Sequence, residues 1–227
     1  MFLNIEGSNV NRQLFDREFS KWKNELNIPI NEINDNNVIV SSNGGVYVGN
    51  ISFDGKRSGL GLTIKPNNDV HFGLWDNDLR EGKGRYYSNN GTRFIGNYKN
   101  NIVADDIGEL LIDDTCNYEG GFINGQFNGY GEMFCLDYGL YTGYWKDGEK
   151  ENFGIMYYIN GDTYEGTWYK NKADGYGKII YYNGEIYEGQ FSNGECHGEG
   201  TIYYPNGSIF NGIWIDGNPV NNNFMPN

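Results

Sequence analysis

Tyr187-Glu188-Gly189 belongs to a triplet that returns every 23 or 24 residues. The other copies are Tyr164-Glu165-Gly166, Tyr141-Thr142-Gly143, Tyr118-Glu119-Gly120, Phe94-Ile95-Gly96, His71-Phe72-Gly73 and Tyr47-Val48-Gly49, and Phe210-Asn211-Gly212 closes the series. Two residues after each glycine stands a large apolar residue: Ile51, Trp75, Tyr98, Phe122, Trp145, Trp168, Phe191 and Trp214. A Gly-x-Gly or its remnant follows mid-unit, as at Gly175/Gly177 and Gly198/Gly200. Asn-Gly recurs near the unit's end, as at Asn160-Gly161 and Asn183-Gly184. Glycine this dense excludes a helix, because each interior Gly costs about 1 kcal/mol relative to Ala. The ring content excludes a flexible linker.

Period-2 alternation puts Tyr164, Gly166 and Trp168 on one face of a strand, and Glu165, Thr167 and Tyr169 on the other. Each unit therefore reads as two short strands. Asn-Gly is expected to turn the second strand into the next unit's first, and a longer connection to join the strands within a unit. A lone hairpin cannot bury its apolar face, whereas stacked hairpins can. Tyr and Trp rings are expected to lie over the bare Gly backbone, which explains why glycines and aromatics keep step. The predicted fold is all-β: a single-layer, elongated meander of stacked β-hairpins.

Tyr-x-Gly-x-Trp/Phe followed by Gly-x-Gly at this period resembles the membrane occupation and recognition nexus (MORN) repeat. The resemblance is fullest over residues 164–209 and spans 47–217, with full repeats starting at 47, 71, 94, 118, 141, 164 and 187 and a partial one at 210. It weakens at Ile51, His71 and Phe94, where the pattern's residues are replaced. A trailing half-unit with Asn43-Gly44 as its turn extends the ladder to residues 37–217. The resemblance implies protein binding in cytoskeletal or membrane-contact assemblies. It also implies, as alternatives, an adaptor for anionic lipid or phosphoinositide, or an accessory module of a lipid kinase or methyltransferase system.

Residues 1–36 differ. Phe15, Phe19, Trp22 and Leu26 share one helical face, and Pro29 closes the segment, so a helical cap or docking helix is expected. Residues 218–227 read as a tail. The start carries no signal peptide, and no apolar run is long enough to span a membrane. Three cysteines, Cys116, Cys135 and Cys196, form no motif, so reduced thiols and a cytoplasmic location, at cytoskeleton or membrane, are expected.

The net charge is −13. Residues 101–227 hold 5 basic and 19 acidic residues, whereas residues 47–100 hold 8 basic and 5 acidic. This balance excludes nucleic acid as a partner and disfavours anionic membrane along most of the ladder. Weak lipid binding would rest on the densest basic stretch, Arg80, Lys83, Arg85 and Arg93.

No enzyme chemistry stands out. His71 occupies a repeat Tyr position, and His197, beside Cys196, lacks the further ligands that a zinc site needs. Gly-Lys-Gly at 82–84 lacks the Lys-Ser/Thr of a phosphate loop. We expect no cofactor and no metal. The leading reading is a non-enzymatic scaffold binding a helix or extended peptide of a protein partner, with a homodimer also compatible. The candidate groove is Tyr118, Phe122, Tyr141, Trp145, Tyr164, Trp168, Tyr187 and Phe191.

Overall fold

The computed structural model describes residues 38–112, 115–220 and 224–225; the expected helical segment, residues 1–36, lies outside them. All described elements are strands in antiparallel hairpins, so the all-β expectation holds. The chain divides into two compact units that meet in sequence at residues 114 and 115. The first unit contains β1 (Val38–Val40), β2 (Val46–Ile51), β3 (Arg57–Ile64), β4 (Val70–Asp76), β5 (Leu79–Tyr87), β6 (Arg93–Lys99), β7 (Ile102–Val103) and β8 (Asp105–Ile112). Each of β1 to β6 pairs with the next, and β6 pairs with both β7 and β8.

The second unit contains β9 (Cys116–Ile123), β10 (Gln126–Cys135), β11 (Gly139–Lys146), β12 (Glu149–Tyr158), β13 (Thr163–Tyr169) and β14 (Lys172–Ile180). It continues with β15 (Ile186–Ser192), β16 (Glu195–Tyr203), β17 (Ile209–Ile215), β18 (Asn218–Pro219) and β19 (Phe224–Met225). Successive strands again pair, and β17 pairs with both β18 and β19.

The connections reverse the expectation. Within a repeat, β13 and β14 are joined by two residues, Lys170 and Asn171, both at positive φ (48° and 68°), and β11 and β12 by Asp147 and Gly148 (51° and 84°). This is the left-handed pair that a two-residue hairpin requires. The Asn-Gly pairs near the unit ends instead form the longer loops between repeats, where Asn160 Oδ1 accepts the Asp162 N–H at 3.0 Å and Tyr158 N–H donates to the Asp162 carbonyl at 2.9 Å, whereas Asn124-Gly125 and Asn193-Gly194 are two-residue turns within a repeat.

The two-residue turns also join neighbouring repeats. The N–H of the second turn residue donates to a carbonyl 21 residues earlier: Asn171 to Lys150 at 3.1 Å, Gly194 to Ala173 at 2.8 Å and Gly217 to Cys196 at 3.0 Å. Where that residue is Asn or Asp, its side chain accepts the opposite N–H. Asn171 Oδ1 takes the Lys150 N–H at 2.8 Å, Asn101 Oδ1 that of Arg80 at 2.8 Å and Asp78 Oδ1 that of Arg57 at 3.0 Å.

The rings lie over the glycines as expected. Gly166 and Gly177 face each other across β13 and β14, and a Cβ on either would come within 2.5 Å of the Tyr164 hydroxyl. The two glycines of Gly-x-Gly have separate tasks. Gly177 leaves room for the ring, while Gly175 supplies a positive φ of 94° where the strand bulges against Trp168. Asn152 does the second task at φ 58°.

Candidate functional site

The side of each sheet that carries the sockets is a continuous run of edge-to-face rings. In the second unit Tyr141 meets Trp145 at 5.1 Å and Trp168 at 5.3 Å, Tyr164 meets Trp168 at 5.1 Å and Phe191 at 4.9 Å, and Tyr187 meets Phe191 at 5.2 Å and Trp214 at 5.0 Å. Tyr118 begins the run against Phe122 and Trp145. Such pairs contribute about 0.5–1.5 kcal/mol each beyond area burial.

Hydrogen bonds fix the Tyr and Trp rings of the second unit. The Tyr164 hydroxyl donates to the Thr167 carbonyl at 2.9 Å, and Trp168 Nε1–H to the Gly154 carbonyl at 3.1 Å. Tyr118, Tyr141 and Tyr187 repeat the first bond, and Trp75, Trp145 and Trp214 the second. Burial pushes the Tyr118 hydroxyl pKa up to about 12 and raises those of Tyr141, Tyr164 and Tyr187 as well. All eight rings of the candidate groove belong to this run, each at most 5% exposed. They are covered by one another, by glycine backbone and, at Tyr141 and Trp168, by Lys150.

His71 substitutes for a tyrosine. Its ring lies 5.3 Å from Trp75 and 5.0 Å from Tyr98, and it is buried. Neither ring nitrogen has a hydrogen-bond partner of normal geometry. Burial, and then the charges of Arg80 and Arg57, hold its pKa down to about 3.

Cations sit over the run at one repeat position, at the start of the hairpin's second strand. Arg57 lies 4.1 Å from the Trp75 ring, Arg80 4.6 Å from Tyr98, and Lys150 4.8 Å from Tyr141 and 4.9 Å from Trp168. Burial lowers the Lys150 pKa to about 8. Register brings them there, pairing Arg57 with Ile51, Arg80 with Trp75 and Lys150 with Trp145.

The four basic candidates divide between the two faces. Arg80 is on the ring face, paired with Trp75, while alternation from Gly84 turns Lys83 and Arg85 to the opposite face, and pairing with Tyr87 places Arg93 there too.

The second unit's opposite face is open. Cross-strand register lines up Glu119, Glu132, Thr142, Ile155, Glu165, Lys178, Glu188, Thr201 and Asn211 in one row. Lys178 and Glu188 form an ion pair at 2.7 Å within it. On one side runs an apolar row containing Phe134, Leu140, Tyr157, Ile180, Ile186, Tyr203 and Ile209. On the other stand Tyr130 and Tyr144, paired at 5.6 Å, then Phe153 and Tyr176. Tyr176 is 63% exposed and Tyr130 58%. A shallow cleft of ≈ 670 Å³ crosses this face, lined by Phe153, Glu165, Tyr176, Lys178, Glu188 and Glu199 among others. These exposed rings fall out of phase with the glycines, so a search for residues in step with the repeat passes over them.

The cysteine expectation is corrected. Antiparallel register sets Cys116 opposite Cys135 on β9 and β10, and the two form a disulfide. They are 19 residues apart without a spacing motif, so only the register reveals the pair. The thiol argument for a reducing compartment therefore fails for these two, and Cys196 is a buried free thiol. The carboxylate of Asp137 lies near both bonded sulfurs, and His197 Nδ1 lies 3.7 Å from Asp216. Among the described residues no helix is long and apolar enough to cross a membrane.

Fold and surface together define a single-layer sheet of hairpin repeats with one ring-packed face. The MORN repeat model matches residues 71–93, 118–138, 141–163, 164–186 and 187–209. The chain is a MORN-repeat protein. The stretches beginning at 47, 94 and 210 are not among the matches, whereas the one at 71 is matched despite His71 in the tyrosine position. No curated protein matches the chain. Similar solved structures include the SAS-4 (dCPAP) TCP domain of Drosophila melanogaster in complex with a proline-rich motif of Ana2 (dSTIL), at 10% identity, TM-score 0.42, and 78% of this chain and 89% of that one covered. The TCP10 domain of Danio rerio CPAP matches at 16% identity, TM-score 0.43, covering 78% and 83%. The CPAP G-box domain matches at 16% identity, TM-score 0.45, covering 78% and 92%.

Proposed function

We propose that this protein is a non-enzymatic scaffold that uses the open face of its second unit to hold a basic, amphipathic segment of a protein partner. The observation that carries this reading is the acidic row between two rows of exposed rings and Ile. The flanking rows are four residues apart along a strand, about 13 Å at 3.3 Å per residue. That matches the 10–12 Å diameter of one helix. Cations on the partner would meet Glu165, Glu188 and Glu199, and apolar residues on either side would meet Tyr144, Tyr176, Tyr157 and Ile180. In this reading the eight buried rings of the sequence-derived groove support the docking face from behind and touch no partner.

The test uses a designed helical peptide with a Lys/Arg stripe bordered by Leu, and a counterpart with Glu in the stripe. Fluorescence anisotropy with the full chain should show binding of the basic peptide alone. Glu165→Lys/Glu188→Lys and Tyr144→Ala/Tyr176→Ala should each weaken it by about tenfold or more, as loss of central contacts does. Equal binding of both peptides, or no effect of either double variant, would sink the proposal.

A further inference from the structure

The two units carry the same repeat, yet their open faces differ in burial. Ile64 and Tyr157 stand at the same place, three residues after the socket glycine, as do Leu60 and Phe153, one residue before it. Ile64 is 1% exposed and Leu60 5%, whereas Tyr157 and Phe153 are each 47% exposed. Around Ile64 the first unit presents Val48, Leu62 and Phe72 in one cross-strand row, all at most 2% exposed. The matching row of the second unit is Thr142, Ile155 and Glu165. A single-layer sheet cannot bury both faces by itself. The ring face covers itself, but aliphatic side chains standing off a flat face stay wet without a second layer. No described strand supplies that layer, since each of them pairs edge to edge within a sheet.

We propose that residues 15–26 lie as an amphipathic helix flat on the open face of the first unit, with Phe15, Phe19, Trp22 and Leu26 against Val48, Leu62, Ile64 and Phe72. Three observations select this occupant. The chain reaches the sheet at Val38, which itself packs against the cluster. The segment has one apolar stripe and charged residues elsewhere, which a single contact face requires. Its twelve residues span about 18 Å as a helix, enough to cross β2 to β4 at about 4.8 Å per strand. Residues 27–37 can extend about 36 Å, ample to return the chain to β1. In this proposal the segment covers the flat face of the sheet rather than the ladder's edge. It would leave the acidic face of the second unit as the open docking surface, although the inference does not depend on that role.

The experiment compares acrylamide quenching of the full chain with that of Trp22→Phe, whose difference isolates Trp22 from the other four tryptophans. Trp22 should emit blue-shifted and quench several-fold less than free indole at concentrations where light scattering gives a monomer. Phe19→Asp, which cannot unfold the sheet directly, should expose Trp22 and speed amide exchange in β2 to β4 by about tenfold or more. Thr142→Asp, at the place in the second unit that corresponds to Val48, should do neither. A solvent-exposed Trp22 in the wild-type chain would overturn the proposal. So would protection confined to a dimer, which would make a second copy the cover.

Discussion

A valine at position 166 has no room for its Cβ, which would sit 2.5 Å from the Tyr164 hydroxyl and 2.6 Å from the Gly177 Cα. Both neighbours are fixed, one by its hydrogen bond to Thr167 and the other by the sheet. Gly166→Val should therefore cost about 3 kcal/mol, the upper range for overpacking. Asp162→Ala is a milder change but not a silent one. Asp162 accepts the Tyr182 N–H at 2.9 Å and the Asn160 amide at 2.8 Å, and losing these should cost about 1 kcal/mol. Calorimetry that ranks the two variants equal would refute the socket. His71 offers a second residue-scale test. Its folded pKa lies far below the ordinary value, so the unfolded chain takes up a proton first as pH falls. Above about pH 6.5 both states are neutral and stability is flat. Below that it declines toward the folded pKa, with about 2 kcal/mol lost by pH 5. His71→Phe should remove this acid dependence, and urea midpoints at pH 7 and pH 5 check it. The place of His71 was legible because the period assigns it a tyrosine's position. Its unprotonated state was not, because that depends first on burial and then on Arg80 and Arg57, all of them set by how the strands pack around it.

The hairpins were legible as hairpins, but their turns were not. Asn-Gly signals a tight turn wherever it occurs, yet the tight turns here are as often Lys170-Asn171 or Asn77-Asp78, both left-handed throughout. What decides is how many residues each bulge consumes, and a bulge is set by pairing with the next strand. Asn171 combines both demands of a tight turn, a φ of 68° and an acceptor for Lys150 N–H. Asn171→Gly should keep the first and lose the second, while Asn171→Ala should lose both. Thermal melts should rank wild type above Gly, and Gly above Ala, each step about 1 kcal/mol. The same dependence on register hid the disulfide between β9 and β10. Closing a loop of this size restrains the unfolded chain by about 3 kcal/mol. Reduction, or Cys116→Ser/Cys135→Ser, should lower the melting transition accordingly. Identical melts with and without reductant would show that the bond does not form in solution.

In the second unit, one composition serves two opposed tasks. The aromatic residues in step with glycine are buried, their Tyr and Trp donors bonded, and those out of step are exposed among carboxylates. The sequence made the first set conspicuous through its period, and the second emerges only when alternation is carried across the bulges. The buried set also determines how the molecule should respond to base. Tyr118, Tyr141, Tyr164 and Tyr187 all have hydroxyls that donate to a carbonyl and whose pKa burial raises. Below about pH 10 folded and unfolded states are both protonated, so these groups leave stability unchanged with pH. Above it the unfolded chain releases protons that the folded chain retains, and stability falls by up to about 1.4 kcal/mol per pH unit for each tyrosine. A chain already at net −13 gains further repulsion from each tyrosinate. Ionisation of this set should therefore coincide with loss of the strand signal in circular dichroism as one cooperative step. Tyr164→Phe separates the two effects. It keeps the ring but removes the bond to Thr167, so it should lose about 1 kcal/mol at pH 7. The same variant should narrow its deficit against wild type as pH rises past 10, because it has one fewer proton to lose. A deficit that stays constant across that range would mean the hydroxyl is free to ionise in the folded chain, and the bonded-ring account would fail.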